Sequence, residues 1–257
     1  MRADGRKNNE LRTIRIKRSY LKYPEGSAHI ELGDTRVICT ASIEDKIPSF
    51  LKGTGQGWVS AEYAMIPGST GVRVARERGK VNARSLEIQR LVGRSLRSVV
   101  DLRSLGERTI WLDCDVIQAD GGTRTAAISG AYVALAEALF HLRQKDQLER
   151  FPLYDYLSAV SVGLYNDMPV LDLAFEEDSK AGVDMNVVMT AAGKLVEVQG
   201  SAEDKPFSRE QMDQLIDLAS AGVIEITARQ KEALGREIDA LITASAAYYE
   251  DQEKRGV

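Results

Sequence analysis

Histidine is scarce in this 257-residue sequence: His29 lies in a strand pattern, His141 lies late in an apolar helix pattern, and there are no others. A histidine-rich metal centre is thereby excluded, and a Ser-His-Asp arrangement has no supporting motif. Cysteine is equally rare. Cys39 and Cys114 each fall inside an apolar strand pattern, without Cys-x-x-Cys spacing, which predicts buried thiols in a reducing, cytoplasmic compartment. With only six prolines and no Ser/Pro-rich linker, one compact domain over residues 1–257 is expected. Long hydrophobic runs are missing too, and the polar start Met1-Arg-Ala-Asp-Gly-Arg-Lys7 has no apolar segment behind it, so neither secretion nor membrane insertion is expected. What remains is arginine, threonine, glycine and aspartate. That set suits phosphoryl or nucleotidyl transfer, where positioning and electrostatic stabilisation carry most of the catalysis.

The stretch Gln118-Ala-Asp-Gly-Gly-Thr-Arg-Thr125 is the centre of such a reading. Before it, residues 108–117 alternate as a strand does; after it, residues 126–142 run apolar and small, as in a buried helix. The loop thus sits at a helix N-terminus. Free N–H groups and the helix dipole favour an anion there, Gly121 and Gly122 let the backbone approach it, and Arg124 adds a planar cationic fork. Thr123 and Thr125 add hydroxyl donors. A plain strand-to-helix turn with a threonine cap would explain Gly-Gly-Thr alone, but an arginine among small residues contributes little to a core.

The net charge of −4 conceals a local excess of the opposite sign: residues 73–97 hold eight basic residues against Glu77 and Glu87. Residues 68–83 read as a mobile basic loop containing Arg73, Arg76, Arg78 and Lys80. A helix from about Ser85 to Asp101 follows, with Ile88, Leu91, Val92 and Val99 inward and Arg90, Arg94 and Arg97 on the opposite face. Loop and stripe together suit a polyanion. Arg84, just before this helix, is a second candidate phosphate ligand.

Elsewhere, residues 28–32 and 36–40 flank Gly33-Asp34-Thr35 as a hairpin, and residues 158–164 and 170–175 repeat the format around Asn166–Pro169. A faint duplication of β-rich halves, each followed by helix, predicts an α+β sandwich. In the second half, residues 170–190 read as strand, turn, strand. On one straight strand Asp178 and Asp184 would lie roughly 20 Å apart, whereas a fold-back at residues 179–182 brings the carboxylates together. Such a pair beside a phosphate suits a divalent cation such as Mg²⁺. After Pro206, Ser208-Arg-Glu-Gln211 is a capping box opening a C-terminal helix, with possible breaks at Gly222 and Gly235 and fraying over residues 248–257.

Six stretches carry a resemblance: Asp4-Gly-Arg6, residues 33–40, residues 50–63, Leu86-Glu-Ile-Gln-Arg-Leu91, residues 113–125, and Asp184-Met-Asn-Val-Val-Met-Thr190. By these the chain resembles the ribonuclease PH family, phosphate-dependent exoribonucleases that trim the 3′ ends of tRNA precursors. The resemblance implies an α+β fold of duplicated β-α units and a ring-shaped homohexamer built as a trimer of dimers. It implies phosphate held by Arg84, Gly122, Thr123, Arg124 and Thr125, and catalytic carboxylates Asp178 and Asp184 acting through Mg²⁺. Arg73, Arg76, Arg78 and Lys80, continued by Arg90, Arg94 and Arg97, would guide the RNA. Gly68, Ala83 and Ser85 depart from the family's usual Arg, Gly and Thr. A non-catalytic RNA-binding ring subunit is the alternative, and it would be expected to lack the phosphate arginine or the carboxylates, which are present here.

Overall fold

The computed structural model describes residues 2–77, 81–203 and 205–255. In the first half, period-two burial produces the strands. β1 (Ile14–Arg18), β2 (Gly26–Leu32) and β3 (Thr35–Glu44) are antiparallel neighbours, with Ala28, Ile30, Val37, Cys39 and Ala41 turned inward. The turn between β2 and β3 is the expected hairpin, with Gly33 at φ 58°. β4 (Trp58–Met65), α1 (Ala83–Arg97), α2 (Leu102–Leu105) and β5 (Thr109–Gln118) follow, giving a five-stranded sheet in the order β1-β2-β3-β5-β4. The β4–β5 pair is parallel, so its connection must cross over, and α1 packs on β4 as it does so. Asn82 caps α1 by accepting from the Ser85 amide. The helix therefore begins at Ala83, and it ends at Arg97 because Val100 leaves to bridge Leu153.

Helix α3 (Thr123–Gln144) is long and apolar enough to cross a membrane, but it is buried on nearly all sides. It packs on β2 and β3 and also on β6. A Cβ on Gly130 would come within 2.8 Å of Ile30 and 2.9 Å of the Cys39 sulfur, so the helix can approach the sheet this closely only with glycine there. Cys39 and Cys114 face each other across β3 and β5 as free buried thiols.

The second half repeats the plan. β6 (Leu157–Tyr165), β7 (Met168–Leu171), α4 (Phe175–Asp178), β8 (Val183–Thr190) and β9 (Leu195–Ala202) precede α5 (Arg209–Arg255), and the sheet order is β7-β6-β8-β9. All of β6 except Tyr165 is buried, because α3 and α5 cover it. The α+β class and two sheet-then-helix halves are as expected.

The strand-turn-strand over 170–190 is not what forms. β7 stops at Leu171, Asp172 adopts φ 54°, and the Glu177 carboxylate accepts from the Ala174 amide at 3.0 Å and from Arg2, winding residues 175–178 into one helical turn. β8 then pairs with β6 and β9 rather than β7. The Ser208–Gln211 capping box is present, with reciprocal bonds of 2.8 and 3.2 Å. Gly235 breaks α5 (φ 77°), but Gly222 remains helical, and its missing side chain leaves room for Leu171, which a Cβ there would meet at 2.9 Å. The stretch expected to fray is helical to Arg255, with Arg150 over the Tyr248 ring at 3.4 Å and the Tyr249 hydroxyl donating to Asp101.

Candidate active site

β5 delivers the chain to Asp120-Gly121-Gly122, and α3 starts at Thr123. Gly121 and Gly122 have φ of 75° and 64°, a left-handed pair that only glycines adopt without strain. Gly122 itself is the N-cap and has no side chain to offer, so the first amides of α3 face the cavity rather than a capping oxygen. Thr123 is held by the buried Tyr63, whose hydroxyl donates to Thr123 Oγ1 at 2.9 Å. With its acceptor side taken, the Thr123 hydroxyl keeps its proton for a ligand. Thr125 does not join the cradle: it is buried and its hydroxyl donates to the Gly122 carbonyl at 2.9 Å, bracing the first turn.

A cavity of about 420 Å³ opens in front of this loop, lined by Gly121, Gly122, Thr123, Arg124 and Arg84 on one side and by Asp178, Asp184, Asn186 and Ser161 on the other. Arg84 is the second residue of α1 rather than a residue preceding it. Asp178 comes from the end of α4 and Asp184 from β8, so the two carboxylates meet across a helical turn and a strand, not at a hairpin end. Withdrawal from water raises the Asp178 carboxyl above its usual range, the neighbouring Asp184 charge adds to this, and Arg124 and Arg84 oppose it.

Further residues belong to the site than the motifs alone suggested. Ser161 on β6, Asn186 on β8 and Gln199 on β9 are direct cross-strand partners. They form a polar row ending at Arg124, to which Gln199 presents its amide oxygen at 2.7 Å. Gln199 Nε2 in turn donates to Glu87 at 2.7 Å, and Glu87 lies 3.4 Å from the Arg124 guanidinium. Arg124 is thus aimed by an amide and a carboxylate from two other elements. Asn186 could be found from Asp184 by strand period, since i and i+2 share a face. Gln199 could not, because the β8–β9 register is a long-range fact.

The basic residues divide into groups. Thr70, Gly71 and Val74 wall the cavity, and Arg73 and Arg76 on the same loop are exposed, Arg76 near enough to Asp115 to oppose the upward shift of its carboxyl. Arg78 and Lys80 lie outside the described residues. Arg90, Arg94 and Arg97 line a separate groove against Ser60 and Ala61 on β4. There Arg94 pairs with Glu197 at 2.7 Å, while Arg97 donates to the Val59 carbonyl at 2.8 Å and sits 4.2 Å from the Trp58 ring. Arg97 is therefore largely engaged by the fold, not part of a free cationic stripe.

A profile of the 3′ exoribonuclease family, domain 1, matches residues 10–140, and that of domain 2 matches residues 155–222. The chain belongs to the 3′ exoribonuclease family. Among its relatives in this family, Ribonuclease PH of Moorella thermoacetica is 61% identical over 91% of this chain and 95% of its own length. Ribonuclease PH of Bacillus cereus is 58% identical over 91% of this chain and 97% of its own. The fold is also that of solved structures at low identity. Rice (Oryza sativa) Rrp46 matches with a TM-score of 0.75 at 20% identity, over 91% of this chain and all of that one. The Archaeoglobus fulgidus exosome with RNA bound to the active site matches with a TM-score of 0.75 at 22% identity, over 90% and 92% of the two chains. Residues 141–154, between the two matched segments, take in the last turn of α3 and most of its connection to β6, and the cavity takes Arg124 from one side of them and Asp178 from the other.

Proposed function

We infer that this protein is a phosphorolytic 3′-to-5′ exoribonuclease that trims tRNA precursors. The observation that carries this is the convergence, in one cavity, of an anion cradle from the first half and two carboxylates from the second. Inorganic phosphate, held by the α3 amides, Thr123, Arg124 and Arg84, presents an oxygen to the terminal 3′ phosphodiester. A P–O bond forms to that oxygen as the bond to the penultimate ribose 3′ oxygen breaks. The proton lost by the attacking hydrogen phosphate balances the one gained by the departing 3′ oxygen, so the products are a nucleoside 5′-diphosphate and an RNA one nucleotide shorter with a free 3′ hydroxyl, and reversal adds a nucleotide. Arginine forks neutralise the charge that gathers on the transferring phosphoryl oxygens.

The hard oxygen donors Asp178, Asp184, Asn186 and Ser161 fit a Mg²⁺ ion that keeps several waters, and Asp178 and Asp184 would hold it. When bound, the ion supplies positive charge for the departing oxygen. Without it, Arg84 and Arg124 offset the repulsion between the two carboxylates. Arg73 and Arg76, with Arg78 and Lys80, guide the RNA backbone by charge, a contact that salt weakens. The two halves act as one catalytic unit, the homo-oligomer is a hexameric trimer of dimers, and a cytoplasmic location fits the two free buried thiols.

Replacing Arg124 or Asp184 by alanine is expected to lower turnover at least 10²-fold with the circular dichroism spectrum unchanged. A doubly substituted protein that trims RNA at the wild-type rate would defeat the assignment.

A further inference from the structure

The rear of the phosphate loop is held by residues that never reach the cavity. Thr35, fully buried at the start of β3, donates its hydroxyl proton to the Gly121 carbonyl at 2.6 Å and accepts from the Asp120 amide at 2.9 Å. Arg12, only 6% exposed, donates to the Asp120 carbonyl, approaches the Gly121 carbonyl at 3.4 Å, and lies 3.6 Å from the Asp120 carboxylate. The remaining edge of its guanidinium is locked on Asp172, with Nε and Nη2 at 2.9 and 2.7 Å, and its backbone amide donates to the same carboxylate at 2.8 Å. Asp172 opens the segment that carries Asp178. The front of the loop is equally confined: a Cβ on Gly121 would fall 2.5 Å from the Leu173 carbonyl. Gly33 completes the arrangement, since a side chain there would occupy the space of the Arg12 side chain.

From this geometry we propose that Thr35 and Arg12 are positioning residues for the phosphate: they fix the two left-handed glycines from behind, and Arg12, through Asp172, ties the cradle to the carboxylate segment. The proposal rests on the reading that inorganic phosphate binds at Gly122–Arg124. A loop with two consecutive glycines has much freedom to lose, and the hydrogen bonds of Thr35 and Arg12 to its backbone remove it before the ligand arrives. The role therefore shows in phosphate affinity rather than in RNA affinity.

Thr35→Val has the same shape and loses both bonds. It is expected to raise the phosphate KM about tenfold, as one or two lost hydrogen bonds of ordinary strength would, with kcat at saturating phosphate within about twofold and the RNA Kd unchanged. Thr35→Ser restores both bonds and should return the phosphate KM to the wild-type value. Arg12→Lys keeps the charge on Asp172 but loses the fork, and it is expected to show the same selective rise even if Thr35→Val proves unstable. An unchanged phosphate KM in either folded variant, or a Thr35→Ser protein no better than Thr35→Val, overturns the proposal while leaving the activity itself in place. A wild-type protein whose RNA trimming does not depend on phosphate would instead overturn the reading beneath it.

Discussion

Arg124 illustrates how much a single side chain depends on neighbours distant in sequence. Its charge and its place at a helix start could be read from Gly121-Gly-Thr-Arg124, but its direction is set by Gln199 and Glu87. Gln199→Leu keeps the strand and removes the acceptor. The phosphate KM of that variant is expected to rise roughly three- to tenfold, the effect of one charge-assisted hydrogen bond partly screened by water, with kcat nearly constant. Steady-state rates measured against phosphate concentration check this, and a lowered kcat at unchanged KM would show that Gln199 acts in another step. Thr123 makes a similar point. Its hydroxyl was recognisable as a donor, whereas Tyr63, which leaves that donor free, lies sixty residues away on β4.

At the scale of elements, legibility followed the range of the forces involved. β2 and β3, α3 and the capped start of α5 are set by local pattern: period-two burial, an apolar run behind a glycine pair, and Ser208 with Gln211. The segment 170–190 failed as a hairpin because its conformation is decided by partners elsewhere. Arg2 pairs with Glu177 at 2.6 Å and donates to the Leu171 and Asp172 carbonyls at 2.8 Å. No local period in 170–178 records the N-terminal arginine that pulls it into a turn of helix. The carboxylates nevertheless converge, because β8 lies beside β6 with Asp184 opposite Gly163. Asp178 and Asp184 thus line one cavity as expected, but they reach it from a helical turn and a strand rather than from a hairpin end. The basic residues of α1 divide for a comparable reason: spacing puts Arg90, Arg94 and Arg97 near one another, but β4 and β9 supply the Val59 carbonyl, the Trp58 ring and Glu197 that engage two of them.

Across the whole molecule, the two halves are joined by α3 and by a buried network of Arg2, Arg6 and Arg12 with Asp172 and Glu177. Burial alone would raise the Asp172 carboxyl, but the charge and hydrogen bonds of Arg12, with help from Arg6, outweigh it and hold the carboxyl below its ordinary value of 3.8. Because the folded value is depressed, this contribution to stability is complete above the unfolded value and is lost as pH falls through the folded one. Asp172→Asn leaves the Arg12 guanidinium buried without its counter-ion, so a loss of about 3–5 kcal/mol at neutral pH is expected. The gap between the two proteins should begin to narrow below about pH 4, where Asp172 of the unfolded chain takes up a proton, and should close as pH falls further through the depressed folded value. Urea unfolding at pH 7, 5 and 3 checks this. A gap that stays constant down to pH 3 would mean that the Asp172 charge is not what holds the halves together.

In the proposed reaction phosphate, seated at Gly122–Arg124 opposite Asp178 and Asp184, is the nucleophile. Incubating the full chain and Mg²⁺ with a tRNA carrying extra 3′ nucleotides, with and without inorganic phosphate, and identifying what is released distinguishes phosphate from water in this role. Nucleoside 5′-diphosphates, formed only when phosphate is present, are expected. Nucleoside monophosphates released without phosphate would make water the nucleophile and leave the Gly122–Arg124 cradle without its proposed role.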